Sequence, residues 1–568
     1  MGNVHDVVVE TIAIALGAAI VSGVARRVGV PSPIALVLAG IAATLVGVLP
    51  GVSVPDIRLD PDIVLLVFLP PLLYSAALES SYVNLRANVR PILLHSVGLV
   101  VFTTVVVAVT AHHVAGLPWP AAFVLGAVVA PPDAVAATAL GRSMGLPRRV
   151  LTILGGESLF NDATALSLFR VGLAAAAGGL TLWRGLGTFL AAAVGGLLIG
   201  LVLAPLTHRL RIRITEPVLE NTVAVLLPFA VYVLAESVHA SGVVAVVVLG
   251  LYLGHHEIGT SFAARLQARA VWRMLDFLLE SIVFLLIGLQ VVPIVQRAMD
   301  DTSAVQLVRD GIVVVAVVVV ARIVWVFPST YLPRRLSRRL RERDPAPPWQ
   351  EPAVLSWAGM RGVVSLAAAF AIPHTLNGRQ FPGLDLVLYL TLCVVLGTLM
   401  VQGLSLPAVI RRLGVVGREE NADVLAEAQV QHAAARAAVD RLDTLLAEGD
   451  DLPEGVETRL REQAEHRANS AWERLGGGGA GMPRVEPDPD PLRGEAGSGV
   501  EAAARAAHEA EDMGHETPAR VFRRLRREML EAERAVFVDM RNAGRIDDEV
   551  LRRVMNELDL EEAMLARD

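Results

Sequence analysis

Lysine is missing altogether from the 568 residues, so all 50 basic side chains are arginine. That reads as a genomic bias and says little about mechanism. Cysteine occurs once, as Cys393 in an apolar segment. An internal disulfide is therefore impossible, and nothing points to thiol chemistry. The opening MGNVHDVVVE has neither a basic n-region nor a small-residue cleavage pattern, so the first apolar stretch is expected to be a retained span. Extended polar stretches are scarce before residue 411. What is abundant is apolar: 54% of residues are hydrophobic, and the mean hydropathy of +0.53 is high for a soluble chain of this size. The average conceals a division. Residues 1–410 are almost continuously apolar with a formal charge of +5, while 411–568 are Ala/Arg/Glu-rich and carry −12.

A bilayer core takes about 20 apolar residues per helix. Thirteen segments qualify, near 7–25, 32–50, 61–78, 91–115, 118–141, 150–174, 185–206, 217–236, 238–254, 274–296, 308–330, 353–375 and 384–410. Arginine placement tests the count through the positive-inside rule. With the N-terminus outside, the inner loops hold nineteen arginines, among them Arg26, Arg90, Arg149 and the run from Arg334 to Arg343; the outer loops hold five. A missed or invented span would scramble that alternation. The expected fold is therefore an all-α polytopic membrane protein, with a transport domain over 1–410 and a cytoplasmic helical tail over 411–568.

Polar residues inside the spans carry the chemistry. GGESLFNDATALSLF (155–169) places Glu157, Ser158, Asn161 and Asp162 within one span, over an arc of roughly 140° at about 100° per residue. Acids in hydrocarbon are costly unless paired or facing a wet cavity, so they mark ion or proton pathways. A polar helix–helix contact is the plainer alternative. Arg170, Arg322 and Arg361 also lie within spans. The first two can snorkel or pair structurally, whereas Arg361 is deep enough to require an acidic partner. Two spans are interrupted: 118–141 by Pro131, Pro132 and Asp133, and 353–375 by Gly359 and Gly362 around Arg361. Prolines remove backbone donors, and broken helices at matching places in two halves point to a transporter site. These spans are seven apart, an odd spacing that inverts one copy relative to the other.

The tail reads as helix over 418–447, 455–475, 499–512 and 518–565, with a Gly/Pro linker near 476–498. Arg523, Arg524, Arg526 and Arg527 form a basic patch, read as a salt-bridged helix face or as a contact for lipid headgroups. No phosphate-binding loop, metal cluster or other enzyme motif is apparent there.

Four motifs in order resemble the monovalent cation:proton antiporters of the NhaP and eukaryotic sodium/proton exchanger type: FLPPLLYSAAL (68–78), GESLFNDATAL (156–166), FLLIGLQ (284–290) and WAGMRGVVSL (357–366). The second is similar to the Asn-Asp signature of the electroneutral branch. The resemblance implies an NhaA-like fold of inverted repeats, a homodimer in the plasma membrane, and no cofactor, enzyme activity or nucleic-acid partner. It implies that Asp162 binds either a proton or a cation such as sodium, with Ser158 supplying a further oxygen. Glu157 and Asn161 would hold Arg361 and so brace the sixth span against the twelfth. Where the family has Thr-Asp-Pro at the first break, this chain has Pro-Pro-Asp; Asp133 falls one residue late, as a direct ligand or as a neighbour of the site. Carbonyls freed by Pro131 and Pro132 are further candidate ligands.

The residues lead to the same chemistry independently. Sodium is a hard cation that takes carboxylate, hydroxyl and carbonyl oxygens. Burial brings a carboxylate's proton binding toward the physiological range, where protons and cations compete for one group. With Glu157 and Arg361 cancelling, the loaded site is neutral with either ion, which predicts one-for-one electroneutral exchange. A potassium/proton antiporter or potassium-efflux system is the rival within transport. A membrane receptor signalling through the tail is the rival outside it.

Overall fold

The computed structural model describes residues 4–47, 64–178, 182–415, 419–448, 453, 455–476 and 517–566. The linker near 476–498 and the expected helix over 499–512 lie outside them. The chain forms two compact units, Met1–Gly417 and Arg418–Asp568.

Helix falls on each of the apolar segments. The first unit runs α1 (Val4–Val28), α2 (Ser32–Gly47), α3 (Leu69–Glu79), α4 (Val89–Val114), α5 (Trp119–Val129), α6 (Val135–Ser143), α7 (Arg148–Ala176) and α8 (Leu182–Arg211). It continues with α9 (Pro217–Ser237), α10 (Gly242–His255), α11 (Phe262–Asp301), α12 (Ala304–Leu336), α13 (Gln350–Trp357), α14 (Val363–Phe370) and α15 (Leu384–Leu413). Among the described residues, six helices are long and apolar enough to cross a membrane, and four shorter apolar ones accompany them. The break at Ala130–Ala134 separates α5 from α6, and the break at Ala358–Gly362 separates α13 from α14. None of these four pieces, of 11, 9, 8 and 8 residues, reaches the ~20 residues that one bilayer crossing takes. Each pair crosses as two half-helices.

Among the described residues the one strand pairing is a ladder of two residues per strand, β1 (Thr375–Leu376) against β2 (Arg379–Gln380). Asn377 and Gly378 both have positive φ, 51° and 76°, the geometry of the two-residue hairpin turn that Asn-Gly favours. It links α14 to α15.

With no hydrophobic drive between helices in lipid, close backbone approach and interhelical hydrogen bonds hold the bundle. The crossing of α2 and α11 shows both. A Cβ on Gly288 would lie 2.3 Å from the Val37 carbonyl, and one on Gly40 would lie 2.5 Å from the Leu285 carbonyl. Thr44 Oγ1 donates to the Leu289 carbonyl at 3.0 Å across the same contact. The glycine of FLLIGLQ is thus a packing residue. On α8 an outward stripe of Leu190, Val194, Leu197, Leu201 and Val202 stays exposed, as a lipid-facing surface does.

The second unit contains α16 (Glu419–Ala447), α17 (Val456–Gly476), α18 (Pro518–Asn542) and α19 (Asp548–Leu565). Its core is built on Leu442, Leu460, Leu525 and Met529. The expected single helix over 518–565 is two: Gly544 at φ 69° turns the chain, and the Asp547 side chain caps α19. Of the basic patch, Arg526 turns inward, fully buried, and pairs with Glu533 at 2.9 Å and Glu561 at 2.7 Å. Arg467 pairs with both acids as well. Burial alone would raise the Glu561 carboxyl; hydrogen bonds and charge from Arg526 and Arg467 outweigh it and hold the group below its ordinary 4.5.

Two outcomes are expected. Gly288→Ala inserts a methyl where none fits, costing about 1–3 kcal/mol, and should lower the thermal midpoint of the purified protein. Because Glu561 binds its proton less readily folded than unfolded, its contribution to tail stability is present above 4.5 and is lost as pH falls through that value and below it. Amide-exchange protection of α18 and α19, corrected for intrinsic rates, should fall with acid in the wild type and less steeply in Glu561→Gln.

Candidate ion-exchange site

A helix broken in hydrocarbon exposes backbone groups that no water can satisfy, each costing several kcal/mol if left bare. Here the two breaks meet and satisfy each other. The Asp133 backbone N–H donates to the Met360 carbonyl at 2.7 Å. Arg361 reaches back to the C-terminal end of α5, donating from Nε to Val129 O at 2.9 Å and from a terminal nitrogen to Ala130 O at 3.2 Å. It also donates to its neighbour Gly359 O. A cation on the carbonyl end of a helix is favoured by the helix dipole as well. Arg322, from α12, treats α13 the same way, donating from Nε to Leu355 O at 3.1 Å. Near the start of α14, the Arg361 N–H donates to Thr398 Oγ1 at 3.0 Å.

The polar face of α7 lies against this crossing, and its residues divide differently from the sequence expectation. Glu157 is not the partner of Arg361. Its two oxygens accept from the two terminal nitrogens of Arg322 at 2.5 and 3.0 Å, a bidentate pair with both side chains about 1% exposed. Nor does Asn161 hold Arg361: its Nδ2 donates to Pro132 O at 2.6 Å. The inference that a deep arginine needs a carboxylate fails because the orphan carbonyls of two half-helices supply enough acceptors. Arg170, the other in-span arginine, pairs with Glu236 at 2.7 Å where both are partly exposed.

Ser158 accepts a long 3.4 Å hydrogen bond from the Ala134 N–H near the start of α6. Pro131 and Pro132 are buried, and one of the carbonyls expected to be free, that of Pro132, carries the Asn161 amide. Asp133 is half-buried, with its carboxylate so close to Gly362 that an added Cβ there would lie 1.8 Å from Oδ2. Asp162 is 7% exposed and has no hydrogen-bond or ionic partner among the described residues. Asp133 lies within electrostatic range of it. The site thus holds one satisfied acid, Glu157, and one buried acid left open, Asp162. Among the described residues no group of three or more His, Cys, Asp or Glu is arranged to hold a resident metal.

Three participants carried no sequence signal of their role. His95 sits on a π-helical turn of α4, Leu94–Leu99, with Nδ1 at 3.6 Å from Glu157 and Nε2 at 3.3 Å from Ser329 Oγ. Thr398 directly precedes a second π-helical turn, Leu399–Gly403. Arg322 was visible as an arginine in a span, but its partner was not.

Crossed half-helices, two of them capped at their carbonyl ends by an arginine, beside a helix bearing one open carboxylate define a polytopic secondary transporter. A family model described as "Sodium/hydrogen exchanger, transmembrane" matches residues 12–412, and the chain belongs to that family of cation/proton antiporters. It is 35% identical over 561 residues to an uncharacterised Na(+)/H(+) exchanger of Mycobacterium tuberculosis, covering 97% of this chain and 95% of that protein. To the Na(+)/H(+) antiporter ApNhaP of Aphanothece halophytica it is 34% identical over 379 residues, or 65% and 68% of the two chains. The structure of the sodium proton antiporter MjNhaP1 from Methanocaldococcus jannaschii aligns with a TM-score of 0.56 at 18% identity, over 71% of this chain and all of that one; this likeness concerns the fold.

The Glu157–Arg322 pair yields a sharp expectation. Arg322→Gln leaves a buried carboxylate without its counter-charge and should cost about 3–5 kcal/mol, read as a lower thermal midpoint. The double variant Glu157→Gln/Arg322→Gln should recover much of that loss.

Proposed function

We propose that this protein exchanges a monovalent cation, sodium in the first instance, for a proton across the plasma membrane, one for one, with Asp162 carrying either ion in turn. The observation that carries the reading is the contrast on α7. Glu157 is neutralised by Arg322, while Asp162, one turn further on, is buried with no partner.

Charge counting supports the stoichiometry. The site holds Glu157, Asp162 and Asp133 against Arg322 and Arg361, one negative charge in excess when Asp162 is ionised. One proton or one monovalent cation brings the total to zero, and a neutral site crosses a low-dielectric barrier at least cost. The empty, charged site resists crossing, which suppresses leak. In this reading Asp133 balances Arg361 and stands beside the ion, and Ser158 lends its hydroxyl oxygen to the cation. The family's Asn-Asp branch fits Asn161 in a bracing role toward Pro132. Alternating access then moves α5, α6, α13 and α14 as one body, because their breaks are bonded to each other. Thirteen crossings with an outer N-terminus, a cytoplasmic tail and a homodimeric assembly complete the proposal; the arginine alternation between loops supports the first two.

The test uses purified full-length protein in vesicles loaded with a pH-sensitive dye. A sodium pulse should drive proton flux in the wild type, at a rate unchanged by an imposed membrane potential. Asp162→Asn should reduce it to the background of empty vesicles while the protein still inserts. Retained flux in Asp162→Asn overturns the assignment of the carrier, and a potential-dependent rate overturns electroneutrality. Competition for one carboxylate also predicts that the cation KM rises as pH falls, approaching about tenfold per pH unit where the proton dominates. Substituting lithium, potassium or rubidium for sodium ranks the cations.

A further inference from the structure

We propose that the arginine-rich end of the transport unit carries a binding site for a single phosphate group, separate from the ion-exchange site. A solvent-open recess lies among α4, α7, α12 and α13. Three helix ends distant in sequence each bring an arginine to it: Arg90 at the start of α4, Arg149 at the start of α7, and Arg334 at the end of α12.

The three are not equivalent. Arg334 is fully engaged: Nε donates to Asp344 O at 3.1 Å, one terminal nitrogen to Thr330 O, and the other to Asp344 Oδ2 at 2.5 Å. Arg149 gives one terminal nitrogen to the other oxygen of Asp344 at 2.7 Å and keeps the rest of its fork. Arg90 has no hydrogen-bond or ionic partner among the described residues. Asp344 is therefore shared between two arginines, and Glu351 is the other acid in the lining. Three arginines against two carboxylates in the lining leave one positive charge in excess among these five groups.

That excess disfavours a cation and calls for one negative charge. Two guanidinium forks with unused N–H groups favour a tetrahedral oxyanion, which accepts bidentate hydrogen bonds from each, over a spherical halide. A phosphodiester of an anionic lipid and free monobasic phosphate share this chemistry and this charge. The site also has a route to the exchange machinery, because His95 touches both the recess and Glu157.

The experiment measures the thermal midpoint of full-length protein, delipidated in a phosphate-free sugar detergent at constant ionic strength. One arm titrates inorganic phosphate against chloride. The other titrates phosphatidylglycerol against an uncharged glycolipid in mixed micelles. A saturable rise with inorganic phosphate supports a site for the free ion; a rise with phosphatidylglycerol alone supports a headgroup site. In either case Arg90→Gln, which breaks no existing pair, should weaken the response about tenfold, as expected for losing one charge-assisted contact. Arg338→Gln, an exposed arginine outside the recess, should leave it unchanged. Absence of a rise in both arms overturns the proposal, as does an Arg90→Gln response equal to wild type. An equal loss in Arg338→Gln overturns it too, by reducing the effect to general surface charge.

Discussion

The whole transport unit depends on solving one problem: four helix ends lie in the apolar interior, and their backbone groups must find partners there. Arg361 and Arg322 supply most of the answer. Each guanidinium caps the carbonyl end of a half-helix, and a direct backbone bond from Asp133 to Met360 ties the two breaks together. Arginine suits this because its planar fork offers five donors and stays charged. The arrangement keeps the breaks from collapsing into continuous helix, and it holds polar backbone beside α7.

Buried charge follows from that choice. Two arginines brought into an apolar interior need negative charge nearby, and desolvation makes an unpaired one very costly. Glu157 answers Arg322 directly. Arg361 donates to the carbonyls of Val129, Ala130 and Gly359 instead. Asp162 is consequently left uncommitted at the crossing, and an uncommitted buried carboxylate is a group whose charge can be traded between ions. The stabilising network and the open acid are therefore two outcomes of one charge balance.

The second unit handles the same forces with a different network. Arg526 is buried in a helical unit and answered by Glu533 and Glu561, with Arg467 bonding the same two acids. In water such a network competes with solvation, so it works only where packing against Leu525 and Met529 excludes solvent. A patch that read as four surface arginines is one internal strut, two half-buried side chains and one exposed one.

Local pattern was enough for much of this. Length and apolarity located the apolar helices of the transport unit, and proline and glycine located both breaks. Each of these is a property of contiguous residues: a span must be apolar along its own length, and a proline removes its own donor whatever surrounds it. The residues of the candidate site were legible for the same reason, since acids in a hydrocarbon span stand out one at a time. Pairing was not legible. Glu157 had three in-span arginines to choose from, and nothing along the chain says that α12 passes closer to it than the loop bearing Arg361. His95 and Thr398 enter only because π-helical turns and helix crossings bring them to α7 and α14. The turn at Gly544 was hidden as well, because continuous helical periodicity on both sides masks one residue of positive φ. Which groups the chain contains follows from sequence; which of them neutralise each other, and which acid is left over, is decided by distances of a few ångströms between helices far apart in the chain.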